Sequence, residues 1–99
     1  MKTLTEGTRI FNRGDMANIE HFGTIIKVKT DRWGTHYRIR IDEEDRTTER
    51  EEYEVPKCMV HEVDKGHGGT RIVTEEAYNR LGEERIREFK ERYGKKEVA

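Results

Sequence analysis

The 99-residue sequence contains one cysteine and one proline, and nowhere approaches the roughly 18 consecutive apolar residues that a membrane span requires. Cys58 therefore has no partner for an internal disulfide, which fits a reducing compartment, and its expected place is that of a small core hydrophobe. The N-terminus carries neither the basic nor the apolar region of a signal peptide, so a soluble, cytoplasmic protein with no membrane partner is expected. Leu, Ile, Val and Phe supply only 19 residues. With a high net charge that scarcity would mean disorder, but the net charge is −1, so a thin core of a few well-packed strands is expected instead. The length leaves room for one such core.

The near-neutral total conceals a segregation of charge. Between residues 24 and 41, Lys27, Lys29, Arg32, Arg38 and Arg40 against Asp31 give a net +4. Between residues 42 and 54, eight carboxylates against Arg46 and Arg50 give −6. The basic stretch reads as a β-hairpin over residues 22–41. Ile26 and Val28 alternate with Lys27 and Lys29 in its first arm, and Tyr37, Ile39 and Ile41 with His36, Arg38 and Arg40 in its second. Alternation sets the cations of both arms on one outward face, where like charges repel unless they are solvated or used on an anionic partner. Asp31-Arg32-Trp33-Gly34 supplies the turn and leaves Trp33 near the tip.

Elsewhere, residues 1–6 read as a flexible tail, 8–11 as a first strand, and 12–21 as a long polar loop with Met16 and Ile19 tucked beneath it. Residues 52–55 and 58–63 read as two short strands, or one interrupted at Pro56, which cannot donate to a ladder. Residues 65–69 form a glycine-rich connection and 70–73 a last strand. Thr74 is placed to cap a helix over residues 75–93, with Tyr78, Gly82, Ile86, Phe89 and Tyr93 on one side. Glu76/Arg80, Glu83/Arg87 and Glu88/Arg92 stand at the i, i+4 spacing, Gly82 is a point of division, and Gly94 offers a left-handed end. Residues 95–99 should fray. The order predicts a mainly β (α+β) domain over residues 7–94: a small five-stranded SH3-like barrel, with the helix covering one opening or packing alongside. Gly-Thr-Arg-Ile recurs at residues 7–10 and 69–72, in the first and last strands, which such barrels place side by side.

Gly7-Thr8-Arg9-Ile10, Phe22-Gly23-Thr24-Ile25-Ile26 and Tyr37-Arg38-Ile39-Arg40-Ile41-Asp42 resemble the strand and glycine rhythm of small SH3-like barrels such as KOW, Tudor and CAP-Gly modules. The likeness spans residues 7–42 and implies non-catalytic binding of RNA, DNA, modified peptide tails or acidic C-terminal peptides. The lysine-asparagine-aspartate-glycine groove motif of CAP-Gly modules is absent, so no family binding residue carries over. Gly14-Asp15-Met16-Ala17-Asn18, with Trp33-Gly34, also resembles small uncharacterised proteins of bacteria and their mobile elements, which implies no activity.

The first candidate site is the basic hairpin. Lys27, Lys29, His36, Arg38 and Arg40 would meet phosphates or carboxylates, and Arg32 with Trp33 would stack on a base or anchor a peptide. The plain alternative is a solvated face, or one folded against the acidic run. That run, residues 42–54, is the second candidate, as a mimic of nucleic acid or a dock for a basic protein. Cys58, His61, Asp64 and His67 recur every third residue and are all zinc-ligand types, but on a strand successive members point to opposite faces, so no metal is expected. Gly66 to Thr70 lacks the lysine of a phosphate loop, and Arg13-Gly14-Asp15 spells an adhesion tripeptide by chance. No nucleophile has an identifiable base and orienter. The expectation is a non-enzymatic binding or adaptor module without cofactor, engaging nucleic acid or an acidic protein surface through its hairpin. The rival is a protein-interaction regulator acting through the acidic loop or the helix face, including as a homodimer.

Overall fold

The computed structural model describes residues 2–14, 19–47, 50–66 and 69–94. Six strands form one sheet: β1 (Arg9–Asn12), β2 (His21–Asp31), β3 (Gly34–Ile41), β4 (Glu52–Pro56), β5 (Val60–His61) and β6 (Ile72–Thr74), in the order β4-β3-β2-β1-β6-β5. All neighbours are antiparallel except β5 and β6. The count is six rather than five because Pro56 ends β4 and a 3-10 turn over Lys57–Met59 leads the chain to the far edge of the sheet. First and last strands do lie side by side, with Phe11 opposite Val73. Helix α1 (Glu75–Tyr93) follows β6 directly.

Alternation gives the sheet two unlike faces. On one, Ile10, Ile25, Tyr37, Ile39, Ile41, Tyr53, Val60 and Ile72 form a single cluster to which every strand contributes. Opposite edges of a six-stranded sheet share a core only if the sheet curls, so the fold is a half-barrel. Two features of β2 permit the curl. At Gly23 an added Cβ would stand 2.8 Å from the Arg40 carbonyl oxygen and 2.9 Å from Ile39 Cγ2, so only glycine allows so close an approach. Three residues on, Ile25 opposes Ile39 while Lys27 opposes Arg38, which leaves Ile26 as the extra residue of a bulge.

The bulge corrects the strict alternation expected of the hairpin. Ile25, not Ile26, enters the core, and Ile26 is exposed; past the bulge the phase is reset, so Val28 again packs inward. Two other expected core residues are also outside. Cys58 is exposed on the 3-10 turn, and Ile19 is 75% exposed; Met16 lies outside the described residues.

The outer face is covered at one end only. There α1 packs alongside β1 and β6, burying Phe11, Val73 and Ala77 with Phe22 and Tyr78 at the rim, and the Phe11 and Tyr78 rings stack at 4.2 Å. Thr74 caps the helix, its hydroxyl accepting from Ala77 N at 3.2 Å. Gly82 does not divide the helix, and Gly94 ends it in the right-handed region, at φ −62°, rather than the left-handed one. Of the three i, i+4 pairs only Glu76–Arg80 closes, at 2.8 Å, among the described residues.

Ion pairs join segments far apart in sequence. Arg9 donates to both carboxylate oxygens of Asp42, at 2.5 and 2.6 Å, and to Glu75 at 2.8 Å, tying β1 to the end of β3 and the start of α1. Its hydrogen bonds hold the Asp42 carboxyl below the ordinary carboxylate range. Arg13 and Asp64 form a buried pair at 2.6 Å, with side chains 8% and 0% exposed. Arg13 also donates to Thr70 O at 2.7 Å, and Asp64 accepts from Gly66 N at 2.8 Å. Burial pushes the Asp64 carboxyl up, but the bonds from Arg13 and Gly66 outweigh it and leave the group below its usual value. The N-terminal segment is held too: Leu4 packs on the core, and its N–H donates to the Tyr37 hydroxyl at 2.9 Å.

Candidate functional site

The open half of the outer face is built by three strands in register. Thr24, Arg40 and Glu52 form one row across β2, β3 and β4; Lys27, Arg38 and Glu54 form the next; Lys29, His36 and Pro56 the third. Lys27, Lys29, Arg38 and Arg40 are exposed here, as alternation on β3 and the reset phase of β2 require. His36 is half-buried, and its Nδ1 has no hydrogen-bond partner among the described residues.

Beyond the third row the hairpin runs on to its turn. Asp31 accepts from Trp33 N at 2.7 Å, and Gly34 takes φ +111° while Arg32 and Trp33 stay at negative φ. The strands stay in register up to Asp31 and Gly34, so the loop is the pair Arg32–Trp33, and the positive φ falls on the glycine that follows it. Arg32 lies over the Trp33 indole at 4.9 Å, and Trp33 is 76% exposed, so a flat cation-backed platform stands at the tip.

The hairpin alone does not define the electrostatics of this face. Arg38 Nε donates to Glu52 Oε1 at 2.8 Å and its Nη1 stands 3.9 Å from Glu54 Oε2. Lys27, Lys29 and Arg40 form no ion pair among the described residues. The face is therefore graded: cationic along β2, partly neutralised on β3, anionic along β4. The sequence offered a face folded against the acidic run only as an alternative and did not single out Glu52 and Glu54, although Glu52-Tyr53-Glu54-Val55 carries the same alternation as the hairpin.

Nor is the acidic run a single free loop. Asp42 is engaged by Arg9, Asp45 Oδ2 accepts from Phe22 N at 3.1 Å, and Glu52 belongs to β4. Glu43, Glu44 and Glu51 face solvent, and Glu49 lies outside the described residues. The residues spaced by three are dispersed: Cys58 is exposed on a turn, His61 sits in β5, Asp64 is buried against Arg13, and His67 lies outside the described residues. Among the described residues no three potential ligands come together to hold a metal ion. Arg13 of the adhesion tripeptide is the buried partner of Asp64.

A second polar cluster, unforeseen from the sequence, lies within the half-barrel. His21 Nδ1 is 3.0 Å from Ile19 O, an acceptor only, so this nitrogen carries the proton and Nε2 accepts from the Tyr53 hydroxyl at 2.7 Å. Asn12 Nδ2 donates to the same hydroxyl at 3.3 Å, while Asn12 Oδ1 accepts from Gly14 N. Burial pushes the Tyr53 phenol up. The cluster is closed and mutually satisfied, which suits it to fixing the register of β1, β2 and β4.

No helix among the described residues is long and apolar enough to cross a membrane. No protein-family model matches the chain, and neither a curated protein nor a solved structure matches it.

Proposed function

We propose that this protein is a non-enzymatic binding module of the SH3-like class that engages nucleic acid through the outer face and tip of its β2–β3 hairpin. The SH3-like reading is supported by the meander from β1 to β4, the pairing of β1 with β6, and the 3-10 turn that precedes the last strands. One observation carries the functional reading: Lys27, Lys29 and Arg40 share a face with no ion pair among the described residues, and that face leads to the exposed Arg32–Trp33 platform. Cations along a strand neutralise phosphates without regard to sequence, and an indole stacks on any unpaired base. Single-stranded nucleic acid uses both.

Fluorescence anisotropy with labelled single- and double-stranded oligonucleotides at two salt concentrations tests this reading. Binding should weaken steeply with salt, and Lys27→Glu/Lys29→Glu should lower affinity about tenfold or more. Trp33→Ala should cost about 1–3 kcal/mol on the single strand and little on the duplex. Because Arg38 is already paired, Arg38→Glu should do less than Lys27→Glu, and Glu52→Gln should tighten binding. No binding at low salt, or binding indifferent to the lysine reversals, rejects nucleic acid as the partner and turns the search to acidic proteins.

A further inference from the structure

The distal half of α1 is amphipathic without a partner in its own domain. Residues 82–93 are exposed throughout, with Ile86, Phe89 and Tyr93 at 57%, 63% and 46% exposure. With Gly82 they are spaced by four, three and four residues, the seam of a two-stranded coiled coil. The proximal half is anchored: Tyr78 stacks on Phe11, and the Arg85 guanidinium lies over Gly66, where an added Cβ would stand 2.7 Å from Nη2. Past Arg85 a row of large apolar side chains runs out into water.

We propose that this seam is covered by the same seam of a second copy, with the two helices antiparallel. Three features select that occupant. With the two-fold axis between positions 86 and 89, Ile86 meets Phe89 of the second copy, and Tyr93 meets Gly82, so the largest side chain opposes none. A groove of about 410 Å³ beside Gly82, lined in part by Tyr78, Asn79 and Ile86, gives that ring room. On one flank Glu83 falls opposite Lys90 of the second copy, twice by symmetry. On the other, Arg85 is turned onto Gly66 of its own chain and does not confront Arg92 of the second copy. A parallel arrangement would instead oppose Arg85 to Lys90 and superpose Tyr93 on Tyr93. The seam of twelve residues is about 18 Å long, which is short, so the dimer is weak and reversible.

Sedimentation equilibrium over a wide range of protein concentration tests the proposal, with circular dichroism to confirm that each variant keeps its helix. The wild type should show a reversible monomer–dimer equilibrium that Phe89→Glu abolishes. Glu83→Lys and Lys90→Glu should each weaken it about tenfold, and the two combined in one chain should restore it, since the reversed pair is again complementary. Should Phe89→Glu lose its helix, the charge reversals alone decide. A protein that stays monomeric up to millimolar concentration, or a dimer indifferent to the reversals and their recombination, overturns the proposal.

Discussion

Arg13→Met will destabilise the protein by about 3–5 kcal/mol, because it strands the fully buried Asp64 carboxylate without a counter-charge. For a domain of this size that corresponds to a fall in melting temperature of at least ~12 °C, measurable by thermal denaturation. Arg13→Met/Asp64→Leu should recover part of the loss but not all of it. Removing both charges cures the unpaired carboxylate, yet Thr70 O and Gly66 N still lose the partners they have now.

The same pair shapes the response to acid. The carboxyls of Asp64 and Asp42 lie below their unfolded values, so the unfolded chain binds protons first as pH falls. Their contribution is complete above the unfolded carboxylate value near ~3.9 and is lost as pH drops through the folded values. Without Arg13, burial is opposed only by the bond from Gly66 N and the charge of Arg85, and the Asp64 carboxyl rises. The stability gap between wild type and Arg13→Met should therefore start to narrow as pH falls through the variant's raised value, above the unfolded value of ~3.9, and narrow further below it as the wild type loses its own contribution. A gap that widens in acid would show that Asp64 is not held as a carboxylate by Arg13.

The second large effect concerns two adjacent isoleucines. Ile25→Ala should cost about 2–5 kcal/mol in urea denaturation, since the side chain is wholly buried among residues from all six strands. Ile26→Ala, one position on, should cost less than about 1 kcal/mol, because the bulge leaves that side chain exposed. Equal losses at both sites would show that Ile26 is packed as Ile25 is, against the exposure that the bulge gives it.

The hairpin, its turn at residues 31–34, the helix over 75–93 and its Thr74 cap were all legible in the sequence. Each rests on local stereochemistry: the two-residue period of a strand, the glycine that closes a turn, the hydroxyl that satisfies a free N–H. The side of the sheet on which Arg38 and Arg40 stand followed from the same period. The cationic character of that side did not, because Glu52 and Glu54 reach it only through the pairing of β3 with β4. Ile26 misled for a related reason, since a bulge is a property of two paired strands and alternation is read from one.

By itself, the order of residues determined a thin-cored β domain with segregated charge, a basic hairpin with an indole near its tip, and a terminal amphipathic helix. Tertiary structure alone decided that the strands number six, that Arg13 is buried against a carboxylate 51 positions away, and that among the described residues the lysines of β2 stand without an ion pair while Arg38 pairs with β4. The division follows from range. Dihedral preference and side-chain period act over a few residues, whereas pairing and burial depend on which distant segments the curled sheet brings together.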